Sequence, residues 1–417
     1  MNLKKSRLVV SLLTAGVMAS PLAHATNGYF PIGVGPKTEA MGGVGIALPQ
    51  DSFAAAANPA GMAMVGDRVD FALTWFKPNR TADITGSPVP GANGSYSGNG
   101  RSNFFIPDFG YNKMISNDTA LGVVVYGNGG MNTQYNSSPF AAYGATGNLG
   151  INLEQLFIAP TWSKKLNETN SIGVSLNLAY QMFSATGLGA FASMSATPTA
   201  LSDNGTDTST GYGLKVGWTG EVTPIVTLGA TYQTKTKMGS FSKYSGLFAD
   251  QGNFDIPANY GLGIAVKATP VTTVAFDVEQ IDYSGVSSVG NTFPQATSPL
   301  GATGGSGFGW QNMTIFKLGM SYVYDPKLTL RAGLNHNSQQ IPSDQTLLNI
   351  LAPGVVQNHL SLGATWTLAN KSELTVAYVH AFQQTVNGSG SIPVAPFGGG
   401  NANISMHEDS IGIAYGW

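Results

Sequence analysis

The sequence predicts an all-β protein: a fourteen-stranded antiparallel transmembrane β-barrel with an N-terminal hatch inside its lumen. Three observations lead there. Hydropathy alternates with period two over most of the chain, short and long connections alternate strictly, and the composition is poor in charge yet rich in aromatics. Only 10% of the 417 residues are charged, with 16 Tyr, 20 Phe, 6 Trp and 54 Gly. Soluble domains carry about 25% charged residues, which argues against a cytosolic globular protein. So many aromatics equally argue against disorder. A formal net charge of −2 without a basic block excludes a nucleic-acid partner. The absence of cysteine removes disulfides, thiol catalysis and cysteine-ligated zinc together.

Residues 1–25 read as a secretion signal. Lys4, Lys5 and Arg7 form a positive start, 8–18 an apolar core, and Ala23-His24-Ala25 a cleavage site before Thr26. The apolar run is too short to span a bilayer. Cleavage removes three cations and no anion, taking the charge from −2 to −5. No later stretch approaches the roughly 18 apolar residues of a membrane helix.

Residues 26–67 show no strand pattern and are rich in small residues: Gly33, Gly35, Gly42, Gly43, Gly45, Ala54 to Ala57, then Asn58-Pro59-Ala60-Gly61. The segment is too apolar for a solvated tail. A ring of fourteen strands is too wide for wall side chains alone to fill, so this segment is expected to plug the lumen. Its glycines lack the basic residue and the strand–loop–helix setting of a phosphate loop.

Residues 68–417 form the predicted wall. In 171–182, Ile172, Val174, Leu176, Leu178, Tyr180 and Met182 share one face, and Gly173, Ser175, Asn177, Ala179 and Gln181 the other. The stretches 316–324 and 360–368 alternate likewise, as strands with one oily and one small or polar face do. A sandwich would show the same alternation; the connections discriminate. Six short links (112–118, 166–170, 222–225, 268–271, 325–327, 369–371) interleave with seven long segments near 81–102, 129–150, 184–210, 238–257, 284–309, 337–357 and 384–403. Membrane barrels have this asymmetry, with tight periplasmic turns and long outer loops. All six tryptophans fall in or beside predicted strands, as interfacial girdles require. The chain ends on an alternating strand whose last residue is Trp417, similar to the terminal aromatic read by the barrel-insertion machinery. Closure suits hydrocarbon, which cannot satisfy open backbone edges. The expected location is the bacterial outer membrane.

Asn27-Gly28-Tyr29-Phe30, the run 40–47 (AMGGVGIA) and Asn58-Pro59-Ala60 resemble the N-terminal hatch of the long-chain fatty acid outer-membrane transporters, the FadL type, which includes toluene and xylene transporters. Asn58, Pro59 and Ala60 match the hatch motif of that family, and the blocks 254–283 and 310–334 look similar as well. The resemblance implies passive uptake of hydrophobic molecules, with long-chain fatty acids first and aromatic hydrocarbons as the alternative. Cargo would be captured between two outer loops, pass to a lumenal site, and leave sideways into outer-membrane lipid through a break in the third strand. Transfer through water would otherwise cost about 0.8 kcal/mol per CH₂.

The capture loops would be those after strands five and seven, carrying Leu188, Phe191 and Met194, then Phe241, Tyr244, Leu247 and Phe248. Apolar loop residues either bind something or pack together. The third strand, 119–128, runs into Gly127-Asn128-Gly129-Gly130; Gly127, Gly129 and Gly130 mark either a weak, gate-like pairing or an ordinary strand end. Lys317 and Arg331 lie on small, polar faces and so point into the lumen, where they either meet a carboxylate head group or bridge wall and plug. Lys215 and Lys267 have less regular neighbours and the same two readings.

Catalysis is not expected. His336, His359, His380 and His407 are placed near outer strand ends as surface polar residues, with no nucleophile motif or metal-ligand spacing, so neither catalytic residues nor a cofactor nor a metal is assigned. A general porin would need charged constrictions and an open lumen, and the plug segment argues against it. A barrel whose Gly/Ser/Asn-rich loops bind surfaces is the third reading.

Overall fold

A computed structural model of the chain describes residues 26–295 and 297–417; the secretion signal lies outside the described residues. Fourteen strands form one antiparallel wall: β1 (Arg68–Thr85), β2 (Phe104–Met114), β3 (Thr119–Tyr135), β4 (Leu149–Lys165), β5 (Asn170–Thr186), β6 (Asp207–Thr223), β7 (Val226–Gln233), β8 (Asn259–Thr269), β9 (Thr272–Ile281), β10 (Met313–Asp325), β11 (Leu328–Asn337), β12 (Asn358–Thr367), β13 (Glu373–Val386) and β14 (Asn401–Gly416). β1 pairs with β14 from Asp70/Gly416 to Thr85/Asn401 and closes the ring. Two short ribbons in the outer loops, Gly94–Ser97 and Lys237–Met238, add to β1 and β6. No helix among the described residues is long and apolar enough to cross a membrane.

The period-two faces sort as the sequence requires. Val174, Leu176, Leu178 and Tyr180 on β5 point outward and are exposed, as are Phe316, Leu318, Met320 and Tyr322 on β10. Inward positions are small or polar because the hatch presses on them. A Cβ at Gly217 would overlap the Asn58 side chain, and one at Gly333 would overlap the backbone at Met41 and Gly42. The wall's small face is thus a socket for residues 26–67, which carry helices α1 (Pro36–Glu39) and α2 (Ala54–Ala57) and a 3-10 turn over Pro59–Ala63.

Two expectations need correction. β1 runs on to Thr85 and β3 to Tyr135, so the first two outer loops are shorter than read, and the 127–130 glycines lie within a strand rather than at its end. Trp310 is no girdle residue. It is buried under the outer loops, stacks near Tyr29 and Tyr283 at 5.8 and 5.0 Å, and donates from Nε1 to Asn349 Oδ1 at 2.6 Å. A large ring on the loop before β10 sits too deep to reach the bilayer surface.

Candidate functional site

The hatch is pinned to the wall by polar contacts at three places. Near the short turns, Lys37 pairs with Glu373 at 2.7 Å, Arg68 bridges Glu373 and Asp70, and Ser52 donates to Asp70 at 2.6 Å. In the middle, Asp277 on β9 accepts the backbone N–H groups of Gly45 and Ile46 at 2.8 and 3.0 Å. Asn58 makes the third pin. Its Nδ2 donates to the carbonyls of Ile46 and Trp218 at 2.7 and 2.9 Å, and its Oδ1 caps Ala60 N–H at 3.0 Å. Pro59 starts that turn with a fixed φ and no N–H to satisfy, and Ala60 O accepts from Ser163 and Ser171. The three residues of the hatch motif therefore act as a joint between the hatch and strands β4 to β6.

Between hatch and wall lies a cavity of about 70 Å³, room for a few waters. Phe30, Ile32, Val34 and Phe53 of the hatch form its apolar side. Its polar side carries Lys215, Glu279 and Lys317. Lys317 is buried and pairs with Glu279 at 2.6 Å. Lys215, also buried, donates to the Ala56 carbonyl and has no ion-pair partner among the described residues. Arg331 is not part of this cavity: its guanidinium reaches Gln50 Oε1 at 3.0 Å and Thr365 Oγ1 at 2.6 Å, bridging hatch and wall. Lys267 sits at a short turn, half-exposed, facing Glu221 at 3.5 Å.

Tyr126 and Asn128 of β3 also line the cavity, and there the wall changes character. β2 and β3 pair only from Met114/Ala120 to Phe109/Val125. Beyond that register Pro107 offers no N–H, and β3 shifts register against β4 between Gly127 and Gly129. The upper part of β3 therefore lacks a ladder to β2 among the described residues. Gly98 and Gly100 of the first loop close the seam above, through Gly98 N–H to Arg80 O and Gln134 N–H to Gly98 O. Apolar side chains seal it between: Phe76, Phe104, Ile106 and Leu156 form a separate cluster with Val125 against it. The hatch supplies part of the missing hydrogen bonding. Tyr29 O accepts Gly130 N–H at 3.1 Å, and a Cβ at Gly129 would overlap that carbonyl. Asp108 on β2 is buried on the lumenal side of the same seam. In hydrocarbon an unpaired peptide group is expensive, so at Gly130 the hatch stands in for a strand.

The loop residues behave differently from exposed capture surfaces. Leu188, Phe191, Phe241, Tyr244, Leu247 and Phe248 are buried, and Met194 is half-buried. Phe183 on β5 gathers Tyr244 and Phe248 at 4.8 and 4.6 Å, and Phe191 meets Phe140 and Phe397 at 4.9 and 5.1 Å. The loops after β5 and β7 pack on each other in this state.

The histidines divide. His336 and His380 face outward with polar partners, Asn358 and Asp409, at 2.8 and 2.9 Å. His359 corrects the surface reading: it is buried on the lumenal side, opposite Asn335. No group of residues with metal-holding geometry occurs among the described residues. Sequence reading missed Arg80, Asp108, Glu279 and Glu408, all lumenal. They lie on inward strand faces beside larger apolar residues such as Ile106, Ile281 and Met406, outside any motif, and Arg80 lay next to a stretch taken for loop.

The Outer membrane protein transport protein (OMPP1/FadL/TodX) family model matches residues 33–392. Among solved structures, the Pseudomonas putida toluene transporter TodX superposes with a TM-score of 0.66 at 16% identity, covering 92% of this chain and 98% of its own. A Pseudomonas aeruginosa FadL homologue gives 0.68 at 17% identity, covering 95% and 99%. The Ralstonia pickettii toluene transporter TbuX gives 0.64 at 19% identity, covering 92% and 98%. No curated protein matches the chain by sequence. Family members are outer-membrane transport channels for hydrophobic molecules rather than enzymes. With the family model spanning most of the wall and hatch, the chain belongs to the OMPP1/FadL/TodX family of outer-membrane transport proteins.

Proposed function

We propose that the protein takes up hydrophobic and amphipathic molecules, long-chain fatty acids first, by passive lateral release. Cargo enters between the loops after β5 and β7 when their aromatic packing parts, with Phe191, Phe241 and Phe248 as its first contacts. It then occupies an enlarged form of the cavity beside Phe30 and Phe53, and leaves between β2 and β3 into outer-membrane lipid. One observation carries this reading: the cavity abuts the only stretch of wall among the described residues that is sealed by side chains and by the hatch instead of a ladder. Lys215 supports acidic cargo, because its buried ammonium is hydrogen-bonded only to a carbonyl while the Glu279 carboxylate in the same cavity is taken by Lys317. The toluene transporters named above favour a second reading, neutral monoaromatic cargo.

The test combines binding and conductance on the refolded protein, in detergent free of acyl chains. Saturable binding of a long-chain fatty acid, weakened by Lys215→Met, with low steady conductance that rises on deleting 26–67, is the expected result. Binding of toluene alone moves the cargo to the second reading. Large stable conductance without binding of either would leave a porin.

A further inference from the structure

Arg80 on β1 and Glu408 on β14 are two buried charged residues to which the transport route above assigns no role. Both are only 2% exposed. They are diagonal neighbours on the lumenal face, since Arg80 is opposite Met406 and Pro78 is opposite Glu408. The guanidinium donates to the carbonyls of Asn132 on β3 and Arg101, crossing the top of the seam. Its Nε has no hydrogen-bond partner among the described residues, and neither does either carboxylate oxygen of Glu408. Buried polar groups are seldom left so, because each costs about 1–3 kcal/mol. A second cavity, about 20 Å³, touches Arg80 and is lined otherwise by Gly28, Met131, Asn132, Trp310 and Met406 among others. It is large enough for one water or one hydroxyl. Two methionines in its lining can repack around a larger body.

We propose that Arg80 and Glu408 form a polar station at the head of the seam for hydrophobic molecules carrying a neutral hydroxyl, alcohols and phenols. A hydroxyl oxygen accepts from Arg80 Nε–H and its proton is donated to the Glu408 carboxylate, so one group satisfies both. A pure hydrocarbon leaves both unpartnered. The proposal rests on the transport reading, because cargo must pass this point to reach the seam.

The experiment compares p-cresol and toluene, similar in size, by equilibrium dialysis against the refolded full barrel at neutral pH. Arg80→Met removes a cross-seam bridge and threatens folding, so Glu408→Leu carries the test; it deletes an unpartnered carboxyl and keeps the volume. The expected result is p-cresol binding about tenfold or more tighter than toluene, the ratio one charge-assisted hydrogen bond gives. In Glu408→Leu that preference should vanish. Equal binding of p-cresol and toluene to the unmodified protein, or a preference that survives in Glu408→Leu, overturns the station and leaves the transport reading standing. No saturable binding of any probe overturns both.

Discussion

The carbonyl of Tyr29 accepts the backbone N–H of Gly130 at 3.1 Å, so a hatch residue occupies the position a neighbouring strand would take on β3. Tyr29 is held there from behind. Its N–H donates to the Tyr283 hydroxyl at 3.2 Å, and that hydroxyl donates to Asn27 O at 2.5 Å. Its ring packs against Tyr283, Trp310 and Phe254 at 5.2, 5.8 and 6.1 Å. The hatch start and the seam are therefore one mechanical unit.

A side chain at Gly129 should break that unit. Its Cβ overlaps Tyr29 O, and neither backbone can retreat without losing the Gly130 bond. Gly129→Val is expected to fold as a barrel with residues 27–30 displaced and steady conductance in planar bilayers raised severalfold. Unchanged conductance with unchanged protease resistance of 26–30 would show that the contact is incidental.

Asn58→Ala should loosen the hatch at its other end. It leaves the carbonyls of Ile46 and Trp218 without their donor and removes the cap on Ala60 N–H. The combined loss is about 2 kcal/mol, from one helix-type cap and buried acceptors. Hydrogen exchange should rise across 44–63 while the wall strands stay protected. A uniform change across the wall would instead place Asn58 in barrel folding.

How much of this was legible beforehand follows from which interactions are local. Strand periodicity, turn placement and the outward faces of β5, β10 and β12 depend on neighbours in sequence, and those readings agree with the structure. The seam does not. Gly127 and Gly129 are visible in the sequence, but the decisive fact is that the β2–β3 ladder stops at Phe109/Val125 and the hatch carbonyl of Tyr29 takes Gly130 N–H, both set by distant parts of the chain. Arg331 and Lys317 look alike as lone cations on small faces. The hatch, folded back across the lumen, assigns Arg331 to Gln50, whereas the register of the neighbouring wall strand β9 assigns Lys317 to Glu279. The apolar loop residues left capture and mutual packing both open, because the contacts that decide join segments more than forty residues apart, such as Phe183 with Phe241 and Phe248.

The cavity's ion pair offers a way to separate stability from recognition. Lys317→Met alone strands Glu279 as a buried, partly compensated charge, a change that costs about 3–5 kcal/mol in such pairs. Lys317→Met with Glu279→Leu removes both charges and should recover most of the lost thermal stability. If Lys317 also meets an acidic cargo, fatty acid affinity stays low in the double variant while toluene affinity is kept. Recovery of both stability and acid affinity would reduce Lys317 to a structural role.

Acidity should tighten the hatch. Glu39 in α1 is buried at 2% exposure, and its carboxylate's only hydrogen-bond donor among the described residues is the Thr74 hydroxyl, at 3.3 and 3.4 Å. Burial pushes its carboxyl up to about 7, with Thr74 opposing. Asp51 moves the same way, to about 6, by burial that Lys37 partly offsets and Asp70 reinforces. A carboxyl that is raised on folding binds more protons in the folded than in the unfolded chain, so stability falls as pH rises. The contribution is fully present below the unfolded value near 4.5 and is lost as pH climbs through about 7. For Glu39 this amounts to on the order of 3 kcal/mol. Hydrogen exchange of residues 33–47 between pH 5 and 8 should therefore show the hatch opening more readily at the alkaline end. Glu39→Gln, which carries no charge to desolvate, should flatten most of that slope and make the hatch firmer than the unmodified one at pH 8. Parallel pH profiles for the two proteins would mean that Glu39 is hydrated, and that the acid dependence arises elsewhere.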